Sequence, residues 1–346
     1  MAIKSRSENM TSILKNKSIL VTGGTGTIGS ALVKQAIIEN AKKIIVFSND
    51  ENGLFELEEQ FSNHKNIEYV IGDIRNEDIV SSIIKNIDIV FHAAALKHVD
   101  RCESNPFEAI TVNTIGTRNV IKYSIIESVK KVILISTDKA VNPIGVMGAT
   151  KLLAEKLMSS EGFQQNSKTI LATVRFGNVI KSRGSILPKI EKQIAKGGPI
   201  TLTDQRMMRF FMSEHDAINL ILSAADLAKG GEIFVSKMPL LNLKELFETM
   251  KEILAPKFGH DPNKIKMKTI GIRPGEKLIE FLLNNTEMEN ALETKNFFII
   301  PPISKPERLK KYVGAKKAKN IQNYFEKLQP ISKKEIKNLL KQSYES

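Results

Sequence analysis

At 346 residues the chain is too long for one small domain and fits one large or two moderate ones. Its single cysteine, Cys102, excludes an intrachain disulfide and a cysteine-based metal site, and a reducing, cytoplasmic setting is expected. The net charge of +13 is concentrated at the C-terminal end, where residues 304–346 hold twelve Lys or Arg against four Glu. Such a surface suits anionic ligands, but a solvated helical face is the plainer role, and nucleic acid is not expected as a partner. No apolar run approaches the roughly 20 residues of a membrane span. The opening MAIKSRSENMTSILKNKS lacks the apolar segment of a signal peptide.

In chain order, SILVT (18–22), KKIIVF (42–47), IEYVIGD (67–73), IDIVFHAA (87–94), KKVILIST (130–137) and ILATVRFGNV (170–179) read as strands. TIGSALVKQAIIEN, GLFELEEQF, NEDIVSSIIKN and the long Pro106–Glu127 segment between them have helical spacing. The strands are almost continuously apolar, which marks a parallel sheet covered on both faces. The repetition predicts an α/β fold, a doubly wound sheet of the Rossmann type. After Val179 the rhythm breaks at Gly184, Pro188, Gly197, Gly198 and Pro199, and GEIFVSK (231–237) reads as one more strand. The expected organisation is a nucleotide-binding domain over 11–185 to which 213–240 returns. A smaller lobe is expected from 186–212 and 241–302, and a basic, mostly helical extension over 303–346.

VTGGTGTIGSALV joins the first strand to the first helix and satisfies G-x-G-x-x-G through Gly24, Gly26 and Gly29, and G-x-x-G-x-x-G through Gly23, Gly26 and Gly29. Glycines permit the tight turn and the close approach of backbone to a pyrophosphate, which a helix N-terminus attracts. About 20 residues on, FSNDEN ends the second strand with Asp50 and no Arg, which favours NAD over NADP. Asp73 ends the third strand, placed to reach an adenine or to cap the following helix. No His or acidic cluster has metal-ligand spacing, so no metal is expected.

The stretch STDKAVNPIGVMGATK (136–151) follows a buried strand and sets an acid beside an amine, Asp138 and Lys139, at the edge of the core. Met147 stands four positions before Lys151. The TGGTGTIG loop, GDI (72–74), HAAALKHV (92–99), Asn113, and Met147 with Lys151 resemble an extended short-chain dehydrogenase/reductase. More narrowly, STDKAVNP, VRFGNVIKSRGSILP, PITLTDQRMMRFFM, GEIFVSKMP and IRPGEK resemble the polysaccharide-biosynthesis UDP-N-acetylglucosamine 4,6-dehydratases, from about Lys17 to Pro302. The sequence departs from that pattern in Met147, where most short-chain dehydrogenases carry Tyr, in Ile279, where His is frequent, and in Asn49, where several NADP-using relatives have Arg.

The resemblance implies a tightly bound, recycled NAD (alternatively NADP), held by Gly23, Gly26, Thr27, Ile28, Gly29, Asp50, Asp73, Ile74, Ala94 and Lys151. It implies a UDP-sugar substrate held by Lys97, Asn178, Arg209, Arg273 and Glu276, and a homo-oligomer. The implied reaction oxidises C4 of the sugar, removes the C5 proton while water leaves C6, and returns hydride to C6. In it Asp138 is expected to be the acid for O6, Lys139 the base for C5, and Thr137 a partner of the C4 hydroxyl. That requires a protonated Asp138, which burial promotes, and an uncharged Lys139, which burial and nearby positive charge promote. The thioether of Met147 cannot relay a proton, so Lys139 is expected to serve at O4 as well. The alternatives are a UDP-sugar epimerase, a dehydratase that also inverts C5, or a non-catalytic NAD-binding regulator.

Overall fold

The computed structural model describes residues 12–160, 168–302, 312, 315–318 and 321–345. The first half supplies strands β1 (Ser18–Thr22), β2 (Lys43–Ser48), β3 (Ile67–Ile71), β4 (Ile89–His92), β5 (Lys131–Thr137), β6 (Ile170–Phe176) and β7 (Asn178–Val179). The second supplies β8 (Ile200–Leu202), β9 (Met208–Met212), β10 (Ile233–Ser236), β11 (Leu240–Asn242), β12 (Met267–Thr269), β13 (Leu292–Glu293), β14 (Phe297–Ile300) and β15 (Lys316–Lys317).

Ten strands make one sheet in the order β15-β13-β14-β10-β6-β5-β4-β1-β2-β3. From β10 to β3 every pairing is parallel, and β14, β13 and β15 add antiparallel at one edge. Both faces are covered, as the near-continuous apolar strands require. Leu32 and Val33 of the helix Thr27–Ile38 pack with Ile221 of the helix Glu214–Leu227 on one face. Val80, Val120 and Ala154 of three other helices pack with Leu20, Val90 and Val132 on the opposite face.

The lobe has its own core, in which Ile190 and Ile194 meet Leu246, Phe247 and Met250. It carries two small sheets, β11-β9-β7 and β12-β8. Three expectations are modified. The run 170–179 is two strands in different sheets, divided at Gly177, where a Cβ would lie 2.6 Å from the Phe210 carbonyl oxygen. The segment from Pro106 is helical but changes to a π-helix over Thr111–Ile115 before resuming. The segment up to 302 is not all lobe, because β13 and β14 belong to the large sheet. Of the basic extension, residues 303–311, 313–314, 319–320 and 346 lie outside the described residues. The rest is built in: β15 pairs with β13, and Ile336 and Leu340 of the helix Lys333–Glu345 are buried in the lobe core. Among the described residues no helix is long and apolar enough to cross a membrane, and no group of three or more His, Cys, Asp or Glu could hold a metal ion.

One buried charge joins these parts. Arg175 on β6 is fully buried. Its Nη2 donates to Glu155 Oε2 at 2.6 Å and to Glu287 Oε1 at 2.9 Å, its Nε to Glu155 Oε1 at 3.1 Å, and its Nη1 to Glu287 Oε2 and the Leu282 carbonyl, both at 2.9 Å. Ser136 Oγ donates to the same Glu155 at 2.6 Å. Glu287 also closes a capping box with Asn284. Removing the guanidinium would strand two carboxylates. Arg175→Met is therefore expected to lower stability by about 3–5 kcal/mol, read as a fall in the urea midpoint at unchanged slope.

Candidate active site

The sheet reverses its winding at β1, whose neighbours are β2 and β4. Ligands bind such sheets in the crevice beyond the carboxyl ends of these strands. There Gly23 has a φ of +66°, and a Cβ on it would lie 2.7 Å from the Ala94 amide nitrogen. A Cβ on Gly29 would lie 2.2 Å from the Gly23 carbonyl oxygen. Gly26 sits at the N-cap of the helix Thr27–Ile38, which presents free amide groups to the crevice. This bare backbone fits a dinucleotide pyrophosphate.

The acids near this loop have partners. Asp50 caps the helix Glu51–Gln60 by accepting from the Gly53 amide at 3.1 Å, and its other oxygen accepts from Arg183 Nη2 at 3.1 Å. The Gly53 amide foremost, then Arg183, hold its carboxyl below the usual range against the effect of burial. Arg183 also donates from its amide to Thr27 Oγ1 at 2.9 Å and from Nη2 to the Thr25 carbonyl at 2.6 Å, and its own carbonyl accepts from Lys97 Nζ at 2.6 Å. Asp73 accepts twice from the Arg75 side chain, at 2.9 and 2.6 Å. It does not cap the next helix; Asn76 does, accepting from Asp78 and Ile79. Ile74 is buried core, and its side chain packs where Gly116 leaves space.

The helix Val146–Ser159 brings Met147 and Lys151 under the crevice, and both are buried. Met147 packs with Cys102 and Ala109, so its sulfur fills an apolar cluster. Lys151 Nζ donates to the Ile135 carbonyl at 2.6 Å. Burial pulls its pKa down to about 8, with Glu155 opposing. His92 is held between Thr22 and Thr117 at 2.7 and 3.0 Å, and burial first and Lys151 second depress its pKa to about 3. Asn113, in the π-helical turn, accepts from the Leu96 amide at 2.7 Å and donates to the Leu96 carbonyl and Thr150 Oγ1, both at 3.0 Å. It ties the loop after β4 to the lysine-bearing helix.

At the end of β5 the chain turns into a short 3-10 helix, Asp138–Ala140. Asp138 is fully buried. Its Oδ1 accepts from Thr137 Oγ1 and from Lys139 Nζ, both at 2.9 Å. Lys139 Nζ also lies 3.4 Å from Asn178 Oδ1 and 3.7 Å from Glu280 Oε1. The amine enters a cleft between sheet and lobe that is lined further by Asn178, Lys189, Arg209, Arg273, Glu276 and Glu280. The Arg273 side chain makes no hydrogen bond or ion pair with a described residue, while its carbonyl accepts from the Glu276 amide at 3.1 Å. Arg209 is engaged: Nη1 donates to the Met208 and Leu278 carbonyls at 2.8 and 3.1 Å, and Nη2 to the Lys277 carbonyl at 2.9 Å. Its fork braces the 277–278 backbone at the wall of the cleft. Asp138 Oδ2, Glu276 Oε2, Glu280 Oε2 and Ser185 Oγ are buried here without a hydrogen-bond partner. Such a concentration of unpaired buried oxygens marks a place built for a ligand.

The polysaccharide biosynthesis protein model matches residues 19–302. The chain belongs to that family. A curated relative from Methanocaldococcus jannaschii, named an uncharacterized membrane protein, is 48% identical over 97% of this chain and 98% of its own. A Rickettsia bellii protein named UDP-glucose 4-epimerase is 38% identical over 94% and 95%. The solved structure of Pen from Bacillus thuringiensis superposes with a TM-score of 0.87 at 43% identity, covering 95% of this chain and 98% of that one.

For this family member, the structure brings Lys139, Asn178, Arg209, Arg273 and Glu276 to one cleft, while Lys97 reaches the Arg183 carbonyl instead. Sequence reasoning missed Arg183, Lys189 and Glu280. A lone Arg in a loop or a lone Lys on a helix carries no signal, and Glu280 lies just past the quoted IRPGEK. The depressed Lys151 has a pH signature. Below about pH 8 the folded state bears a buried ammonium. Between about 8 and 10.5 only the unfolded chain keeps that proton, so stability rises with pH through this window. Lys151→Met should flatten the rise, as measured by urea unfolding at stepped pH.

Proposed function

We propose that the protein is a UDP-N-acetylglucosamine 4,6-dehydratase. The observation that carries this reading is the 2.9 Å contact of Lys139 Nζ with the buried Asp138, opening on the cleft. Loss of water across two adjacent carbons needs one base and one acid a few ångströms apart. This pair supplies both from neighbouring residues on one strand end. A 4-epimerase acts at C4 alone and has no use for a second acid beside the base.

The glycine loop, Ala94 and Lys151 would hold NAD, with Ile28 and Thr27 at the helix N-terminus beside it. A bound nicotinamide supplies reversible removal of hydrogen with two electrons from C4 and its return at C6. Asp50, already paired with Arg183, lies where the adenosine ribose would come. Arg273 and Lys189 offer cations to the diphosphate, and a guanidinium fork matches its oxygens. Glu276 offers its unpaired oxygen to hydroxyls of the uridine ribose, and Asn178 an amide to the sugar. Thr137 orients Asp138 and stands near the hexose. Lys139 takes the C5 proton while Asp138 protonates O6, and water departs. A proton afterwards crossing the 2.9 Å hydrogen bond redistributes charge between the two groups without solvent.

The second reading, UDP-sugar 4-epimerase, is favoured by the printed name of the Rickettsia relative. Incubation with UDP-N-acetylglucosamine in heavy water separates the two. The expected product is a UDP-4-keto-6-deoxy sugar with deuterium at C5, seen by proton NMR; a 4-epimer that keeps C6 oxygen would establish the other activity. Lys139→Ala should abolish C5 exchange. Arg273→Ala should weaken UDP-sugar binding by roughly tenfold or more and leave cofactor affinity unchanged, by calorimetry. We also propose self-association, since Phe107, Ile110, Ile115 and Leu153 are exposed apolar side chains on packed helical segments.

A further inference from the structure

Oxidising a C4 carbinol leaves the hydroxyl proton to be disposed of, and the residue at the usual tyrosine position, Met147, is packed into an apolar cluster and cannot take it. Lys139 can receive it but must be free again before it removes the C5 proton. On the dehydratase reading above Asp138 starts the cycle already protonated, so it cannot also take up the O4 proton. A third group is needed within reach of Lys139.

We propose that Glu280 is that group, a proton acceptor behind Lys139 that takes up the O4 proton during oxidation at C4. Glu280 is 3% exposed, and its Oε1 lies 3.7 Å from Lys139 Nζ. Its Oε2 makes no hydrogen bond. Lys277 Nζ lies 3.1 Å from that oxygen and supplies the counter-charge, but donates its hydrogen bond to the Val141 carbonyl at 2.7 Å. A buried carboxylate this poorly bonded is a liability for stability alone. Its backbone is nevertheless held firmly, by Arg209 on the 277 and 278 carbonyls and by the bridge of Ile279 to Met208. A shift of roughly 1 Å brings Oε1 and Nζ to hydrogen-bond distance.

The protons balance over the cycle. At the start Asp138 carries one proton, Lys139 is an amine and Glu280 a carboxylate. The O4 proton passes to Lys139 and on to Glu280, while the C4 hydrogen leaves with two electrons to the nicotinamide and the O–H electron pair becomes the C=O π bond. Lys139 next takes the C5 proton, the C5–H electron pair forms the C5–C6 double bond, and the C6–O bond breaks as Asp138 protonates the leaving hydroxyl. Hydrogen with two electrons returns at C6 and Lys139 gives its proton back to C5. Glu280 finally passes its proton through Lys139 to Asp138. The O4 proton has thus replaced the one lost in water.

The later steps rest on the dehydratase reading, whereas C4 oxidation is common to dehydratase and 4-epimerase. The test uses Glu280→Gln and Glu280→Asp in the full-length protein with its cofactor. Single-turnover reduction of bound nicotinamide by UDP-N-acetylglucosamine should slow by roughly 100-fold in Glu280→Gln and recover in part in Glu280→Asp. UDP-sugar affinity should stay within about threefold. The purified UDP-4-keto-6-deoxy sugar, whose C4 is already oxidised, should exchange its C5 proton in heavy water within about threefold of the unaltered rate, because that step uses Lys139 without the store. Undiminished nicotinamide reduction in Glu280→Gln would overturn the proposal. Equal losses of reduction and C5 exchange would overturn it as well, by showing that Glu280 only holds Lys139 in place. If the unaltered enzyme gave a 4-epimer, the dehydratase reading would fall and the reduction rate would still decide the role of Glu280.

Discussion

The Arg175 guanidinium has no contact with water, and it cannot lose its charge. It therefore needs carboxylates from elements distant in sequence, and it takes Glu155 from one helix and Glu287 from another. Glu155 lies one helical turn beyond Lys151, on the same helix as Met147. Glu287 lies seven residues beyond Glu280. Ser136, two residues before Asp138, donates to Glu155. The charge compensation of one arginine thus ties together the segments that carry Lys151, the Asp138–Lys139 pair and Glu280. A hydrophobic substitute of equal volume could pack as well, but it would impose no such selection of partners.

Met147 has a consistent explanation in the same framework. A tyrosine there would bring a hydroxyl that needs a partner, whereas the structure surrounds this position with Cys102, Ala109, Val99 and Val146. The polar burden is moved to the other side of the cleft, where Lys139 meets Asp138, Asn178 and Glu280, and Lys277 meets Glu280, at ion-pair or hydrogen-bond distance. On the proposed function, proton handling would be gathered around one amine instead of being shared with the lysine-bearing helix. Lys151 is left with a single carbonyl partner and a depressed pKa, which suits a group that meets a ligand's hydroxyls rather than a strong counter-ion.

The glycine loop and the parallel strands were legible in the sequence because both are local. Period, turn chemistry and apolar runs act within a few residues. The pair Asp138–Lys139 was legible for the same reason, being adjacent in the chain. Glu280 was not, since its meaning comes from an amine about 140 residues away. The packing of Arg209 was hidden in the same way: its place in a motif suggested a phosphate contact, and the three carbonyls from two segments that engage it were not visible in the sequence. The tail was read as basic and mostly helical, without a packing partner. Its described lysines are exposed, yet Ile336 and Leu340 are spaced to bury one side of a helix, and that spacing decided where it packs.

Residues 273–287 carry the cleft-lining Arg273 and Glu276, the buried Glu280 and the anchor Glu287 on one continuous segment. The segment leaves the lobe beside β12 and enters the large sheet through β13 and β14. A diphosphate that draws Arg273 and a ribose that draws Glu276 would pull on the same backbone that sets the Glu280 to Lys139 distance, now 3.7 Å. On the proposed function, remote binding energy would then have a covalent route along this segment to Glu280, because the far end is pinned at Arg175. Interactions with the nucleotide, which takes no part in the chemistry, would in this way be converted into alignment at the hexose.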